Sequence, residues 1–146
     1  MNSLRISITS PSRDLEKSPI DRAITALAAC AAGEARSGRL PGGPALDLTF
    51  MLSSRDDRPP FDGMRMGGYT TERPILYFEA AVPEAIGHSQ QAPRYVAAVL
   101  EDVIDNAAEY FQALDVAFDA GRWQQALVPL LAAIDADAGG AGATSH

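Results

Sequence analysis

The sequence contains few of the residues that build disulfides, metal sites or membrane spans. Cys30 is the single cysteine in 146 residues, so an internal disulfide is excluded. The two histidines, His88 and His146, lie far apart, and no cysteine or histidine spacing typical of a metal site occurs. A run of 18 apolar residues and a signal-peptide pattern are also missing. We therefore expect a cytoplasmic protein that has no membrane span, metal or cofactor.

Basic residues are scarce in the second half of the chain. Residues 1–78 contain ten Lys and Arg against nine Asp and Glu, whereas residues 79–146 contain two against ten. The net charge of −7 therefore originates in the second half. Because phosphate contacts require Lys and Arg, this distribution argues against direct binding of nucleic acid. An acidic surface instead favours a basic partner.

Motifs for catalysis or phosphate binding are missing as well. His88 lies in a short polar connection without a patterned nucleophile, so we interpret it as a solvated loop histidine. The glycines Gly63, Gly67 and Gly68 precede a strand-like run, whereas a phosphate-binding loop normally opens a helix. Cys30 has no patterned cation beside it and is interpreted as an unreactive thiol. We predict no catalytic residue.

Three segments alternate apolar and polar residues, the pattern of a half-buried strand. They are Leu4–Thr9, Leu46–Leu52 and Ile75–Val82. Pro74 and Pro83 bound the third segment, since proline is tolerated at the first position of a strand and prevents its continuation after the last.

Three further segments have helical periodicity. The first begins after Ser18, a favourable N-cap residue followed by proline, and ends by Gly38. The second, Ala92–Leu114, has a broad apolar stripe. The third, Arg122–Ile134, contains Pro129, which we expect to kink or restart the helix.

The predicted order of elements is β-α-β-β-α-α. The helix between the first two strands permits a parallel crossover, and we expect the second and third strands to form an antiparallel hairpin. Helices on one face of this sheet make a two-layer α+β domain with a small, mostly antiparallel sheet of three or slightly more strands. We assign the domain to residues 1–137 and predict a flexible tail over residues 138–146.

The connection between the second and third strands is unusually long. In a compact domain, a loop of about 12–15 residues or more without secondary structure is usually functional or disordered. Residues 53–69 contain aromatic residues, methionines and the stiff pair Pro59-Pro60, so we interpret them as an ordered contact loop. The candidate partner-binding residues in this loop are Asp56, Asp57, Arg58, Phe61, Asp62, Arg65 and Tyr69.

The second helix carries a row of acids opposite its apolar stripe. Glu101, Asp105 and Glu109 are spaced i, i+4 and i+8, and no Lys or Arg occurs between residues 96 and 121. Like charges at this spacing oppose helix formation by ~0.2–0.5 kcal/mol per pair. A solvated helix face and a docking face for a basic partner both explain this pattern. Together with Asp102, the three acids complete the predicted partner-binding set.

The arrangement of these features resembles that of bacterial immunity proteins of polymorphic-toxin and contact-dependent growth inhibition systems. The segments that carry the resemblance are Leu46–Leu52, Arg55–Arg65, Gly67–Tyr69, Leu76–Pro83 and the acidic helix. The resemblance implies a small cytoplasmic α+β protein that binds and blocks one cognate toxin, frequently a nuclease or another enzyme that modifies nucleic acid. It implies no catalytic residue.

Two other functions remain open at this point. A secretion chaperone or small adaptor would expose a large apolar patch and form a homodimer, for which the helix that contains Pro129 is a candidate surface. An enzyme acting on a small molecule would need a pocket with convergent polar groups. Its best candidate carboxylate is Glu79, if that side chain faces the helices.

Overall fold

The computed structural model describes residues 4–9, 18–41, 45–53, 65–66 and 75–144. This part of the chain is a mixed α/β structure of four strands and four helices. The strands are β1 (Leu4–Thr9), β2 (Ala45–Ser53), β3 (Arg65–Met66) and β4 (Ile75–Pro83). The helices are α1 (Pro19–Arg36), α2 (Glu84–Gly87), α3 (Ala92–Ala113) and α4 (Ala120–Thr144).

The strands form one sheet with the spatial order β1-β2-β4-β3. Its three long strands run in the same direction, because β2 pairs in parallel with both β1 and β4. The two-residue strand β3 pairs antiparallel with β4, with Arg65 opposite Glu79. The parallel crossover predicted between the first two strands is confirmed.

The predicted antiparallel hairpin between the second and third strands is wrong. β2 and β4 are parallel over their whole length, so the sheet is mostly parallel rather than mostly antiparallel. A parallel pair requires a crossover of about a dozen residues or more, and residues 54–74 supply that length. The strand that pairs antiparallel with β4 is β3. With two residues, β3 is too short to show the apolar–polar alternation of a strand in the sequence. The order β-α-β-β-α-α also omits the one-turn helix α2.

One face of the sheet forms the floor of the hydrophobic core. Leu46, Leu48 and Phe50 of β2 are each at most 1% exposed. The parallel register places each of them beside a buried apolar residue of β4. Burying a side chain of this size contributes about 1.5–3 kcal/mol. Because successive strand residues point to opposite faces, the residues between them lie on the other face of the sheet.

α1 begins and ends where the sequence predicts. Ser18 is the N-cap residue, and its hydroxyl accepts a hydrogen bond from the backbone N–H of Asp21 at 3.2 Å. Pro19 follows at the first helical position, where a missing N–H costs nothing. The last helical residue is Arg36, and Gly38 has a φ of +71°, the left-handed conformation that terminates many helices.

α3 and α4 pack against each other at the end of the chain, and both contact α1. An aromatic stack joins the two helices: the ring of Phe118 lies 5.3 Å from that of Phe111 and 6.0 Å from that of Trp123, between centroids. Trp123 and Phe111 are at most 1% exposed. The short connection between the helices thus packs against the core through Val116 and Phe118, which are partly buried.

Of the two effects predicted for Pro129, a kink or a restart of the last helix, the restart does not occur. α4 continues through Pro129 to Thr144. A proline inside a helix costs roughly 3 kcal/mol relative to alanine. Leu127 and Leu130 on either side of it are buried, and their burial offsets this cost. The flexibility predicted for residues 138–146 stays a prediction.

Candidate functional site

The predicted contact loop lies almost entirely outside the described residues. Six of its seven candidates fall there: Asp56, Asp57, Arg58, Phe61, Asp62 and Tyr69. The seventh, Arg65, is described through its backbone, which pairs with Glu79 in the sheet. The candidate site is therefore built from the acids of α3.

The acids of α3 lie on its outer side because the opposite side is the wall of the core. Val99, Leu100 and Val103 are fully buried. Glu101, Asp105 and Glu109 are exposed, and we call these three residues the acidic stripe. With a rise of 1.5 Å per residue, the stripe extends about 12 Å along the helix.

Asp102 lies at the border of the acidic stripe rather than within it. Its side chain is half-buried, and its backbone carbonyl accepts a hydrogen bond from Asn106 Nδ2 at 2.8 Å. This contact is a local helix interaction over one turn. The three acids of the stripe therefore share one exposed row of α3, and Asp102 lies beside this row.

The start of α4 borders the acidic stripe. Gln124 Nε2 donates a hydrogen bond to Asp105 Oδ1 at 3.3 Å, which joins the outer surfaces of the two helices. Val128, one turn further along α4, lies on the same side of that helix as Gln124. Its side chain is 68% exposed, the largest value among the exposed large apolar residues of the described chain. The surface therefore combines a row of carboxylates with an exposed apolar side chain.

Within the described chain, no cation neutralises the charge of the acidic stripe. Among the described residues, no Lys or Arg side chain forms an ion pair with Glu101, Asp105 or Glu109. The two arginines closest to them in the sequence are Arg94 and Arg122, at the starts of α3 and α4. The stripe therefore presents three negative charges to solvent at a repulsive helical spacing.

Val128 and Gln124 were not predicted from the sequence. The sequence did contain a signal for Val128, because it does not share the helical face of Trp123, Leu127 and Leu130, which are buried. An apolar residue outside the apolar face of a helix is exposed unless another element covers it. Gln124 carried no such signal, since its contact with Asp105 depends on how α3 and α4 pack.

The outer face of the sheet is a second exposed surface. Arg5, Ser7, Tyr77 and Glu79 on this face are exposed, and Ser7 Oγ lies 3.0 Å from Thr49 Oγ1. The enzyme hypothesis required Glu79 to face the helices, but Glu79 lies on the opposite face of the sheet. That hypothesis loses its best candidate carboxylate.

The described residues contain neither a metal-ligand cluster nor a membrane-spanning helix. No group of three or more His, Cys, Asp or Glu side chains in this part of the chain is arranged to hold a metal ion. Within the same residues, no helix combines the length and the apolar character required to span a membrane.

Comparison with known proteins gives no relative for this chain. No protein-family model matches it, and neither a curated protein nor a solved structure matches it.

Proposed function

We propose that this protein is an immunity-type inhibitor that acts in the cytoplasm by binding a basic bacterial toxin domain. The binding surface is the acidic stripe of α3 together with Val128 of α4. One observation supports the proposal: three exposed carboxylates at a repulsive helical spacing, which form no ion pair with a described residue, border an exposed apolar side chain. The resemblance of the sequence to immunity proteins supports the same reading.

The two parts of this surface have different roles in binding. Exposed carboxylates attract a basic partner over several ångströms, which raises the rate of association and makes it sensitive to salt. Val128 becomes buried against the partner and contributes to the affinity through its apolar area. Binding of lysines or arginines also relieves the repulsion among the acids of the stripe. The helix is therefore less strained in the complex than in the free protein.

The arrangement of exposed apolar residues favours this function over a chaperone or adaptor. The exposed large apolar residues of the described chain are distributed over different elements: Met51 and Tyr77 in the sheet, Leu114 after α3, and Val128 in α4. A chaperone would bind through a contiguous apolar surface. The acidic stripe with Val128 beside it is instead complementary to a partner that places basic residues around one apolar contact.

Affinity capture from a lysate of the source organism tests the proposal. The full chain is immobilised, and retained proteins are identified by mass spectrometry after washes at low and high salt. The test variant is E101Q/E109Q, which removes two charges from the stripe and retains good helix formers. The matched control is D47N/E79Q, which removes two charges from the outer face of the sheet.

We expect the unmodified chain and the control to retain one basic protein. The stripe variant should retain at least about tenfold less of that protein, because each lost charge-assisted contact costs about 1.5–3 kcal/mol. Thermal unfolding of the stripe variant should match or exceed that of the unmodified chain, because repulsion is removed. Equal retention by the stripe variant, or retention of an acidic protein only, would contradict the proposal.

A further inference from the structure

We propose that the groove between α1 and α4 binds a small anion that carries a phosphate or carboxylate group. The groove has a volume of about 510 Å³. Its lining includes two arginines and one glutamine, together with a single acid: Arg39, Arg122, Gln125 and Glu34. This site is separate from the acidic stripe and does not depend on the proposed inhibitor function.

The turn after α1 holds Arg39 at the groove. Gly38, with its positive φ, reverses the chain, and the backbone N–H of Arg39 donates to the carbonyl of Glu34 at 2.9 Å. This reversal also brings Arg39 Nε to the carboxylate of Glu34, with which it forms an ion pair. The Glu34 side chain is 11% exposed and the Arg39 side chain 64% exposed. A nearly buried acid therefore orients an arginine that is open to solvent.

Arg39 has donor capacity left for a ligand. A guanidinium carries five N–H donors, and the contact with Glu34 uses the one on Nε. Among the described residues, no other acceptor binds the side chain of Arg39. The planar terminal nitrogens can thus bind two oxygens of a phosphate or carboxylate side by side.

Arg122 contributes the second cation from the other wall of the groove. Its backbone N–H donates to Asp119 Oδ1 at 3.0 Å in the first turn of α4, which fixes the position of the residue. Its guanidinium has no hydrogen bond or ion pair with a described residue. The neighbouring Gln125 adds an amide that can donate to the same ligand.

The charge and size of the groove specify a small anion. Two guanidiniums and one carboxylate leave a local excess of positive charge, although the whole chain has a net charge of −7. At physiological salt, charges beyond about 8 Å are largely screened, so the acids elsewhere on the surface repel the ligand weakly. A volume of this size is within the usual range of ~300–1,000 Å³ for small-molecule sites.

The two walls of the groove are tied together behind the arginines. Cys30 Sγ of α1 donates to the backbone carbonyl of Pro129 in α4 at 3.6 Å. Pro129 itself lines the groove. This contact joins the helices that carry the two cations, so the ligand does not have to draw them together.

Nuclear magnetic resonance titration of the full chain tests this site. Inorganic phosphate and citrate are added in separate series at constant ionic strength, with sodium chloride as the control. We expect saturable shifts of the backbone amides of Gly38, Gln125 and Ala126 with at least one of the two anions, and none with chloride. The anion that saturates the site identifies the ligand as a phosphate or a carboxylate.

Substitutions in the groove separate a specific site from general attraction of anions. R39Q and R122Q should each weaken binding by about tenfold or more. R94Q, which removes an exposed arginine from the start of α3, should leave binding unchanged. R39Q also removes the ion pair with Glu34 and can lower stability for that reason, whereas Arg122 has no ion pair with a described residue to lose. R122Q therefore tests the site even if R39Q does not fold. Absence of saturation with both anions, or equal affinity of the unmodified chain and R122Q, would overturn the proposal.

Discussion

The Cys30 thiol lies at the contact between α1 and α4, where it donates to the carbonyl of Pro129. Burial raises the pKa of Cys30 above its ordinary value of 9.0, and the nearby charge of Glu34 raises it further, whereas Arg39 lowers it. The thiol is therefore protonated at neutral pH. Because the thiolate is the reactive form, the sequence-based interpretation of an unreactive cysteine agrees with this environment.

Alkylation kinetics test this environment. We expect iodoacetamide to modify Cys30 at pH 8 more slowly in the folded chain than in urea. R39Q should slow the reaction further, because it removes the cation that lowers the pKa, and R94Q should not change it. Equal rates in the folded and unfolded states would show that burial does not protect the thiol.

The same pKa shift has a defined effect on stability. A folded-state pKa above the unfolded value makes a contribution to stability that is fully present below pH 9.0. As the pH rises from 9.0 through the folded-state pKa, the unfolded thiol ionises first and this contribution is lost. Equilibrium unfolding in C30A should lack this part of the alkaline decline in stability.

At the scale of the element, two helices end in the same way with different residues. After α1, the left-handed position is Gly38, with a φ of +71°; after α3, it is Asp115, with a φ of +58°. In both turns, hydrogen bonds run from the N–H groups after the helix to carbonyls of its last turn; after α3, the N–H of Val116 donates to Phe111 at 2.9 Å. Glycine is the favoured residue at this position, because a side chain is strained there.

This difference predicts opposite effects of two substitutions. D115G should raise the free energy of unfolding by about 0.5–1 kcal/mol, because it removes strain from the turn. G38A should lower it by about 1 kcal/mol. A Cβ at Gly38 would meet no atom within 4 Å, so this loss comes from the backbone alone. Chemical denaturation measures both changes, and an increase in stability for G38A would contradict the account.

Elements with local signals were predictable from the sequence, and elements that depend on tertiary pairing were not. The cap at Ser18, the stop at Gly38 and the alternation in β2 each act within a few residues, and the structure agrees with them. The parallel direction of β4 relative to β2 is a property of tertiary pairing, which the local sequence pattern does not record. The continuation of α4 through Pro129 depends on burial against α1 and α3.

The candidate site likewise has features that were predictable from the local sequence pattern and features that depend on tertiary packing. The outward position of Glu101, Asp105 and Glu109 follows from helical spacing alone, and the structure exposes all three. The proximity of Gln124 and Val128 depends on the packing of α4 against α3. The sequence left open whether the contact loop and the acidic helix form one surface, and the loop acids lie outside the described residues.

At the scale of the whole molecule, α4 separates two surfaces of opposite charge. One side of α4 borders the acidic stripe through Gln124, and the other side lines the groove that contains Arg122. A basic protein and a small anion would therefore bind to different sides of the same helix. Charge removal on one side should leave binding on the other side intact, because no ion pair joins the acidic stripe to an arginine of the groove in the described chain.

A growth assay tests the inhibitor function most directly. The basic protein recovered by affinity capture is expressed from an inducible promoter in a neutral bacterial host, alone or together with the full chain. We expect the captured protein alone to arrest growth, and the full chain and D47N/E79Q to restore it. E101Q/E109Q should restore growth poorly, although it accumulates to the same level. Full protection by E101Q/E109Q would contradict the role of the acidic stripe, and growth that the captured protein does not impair would contradict the inhibitor function.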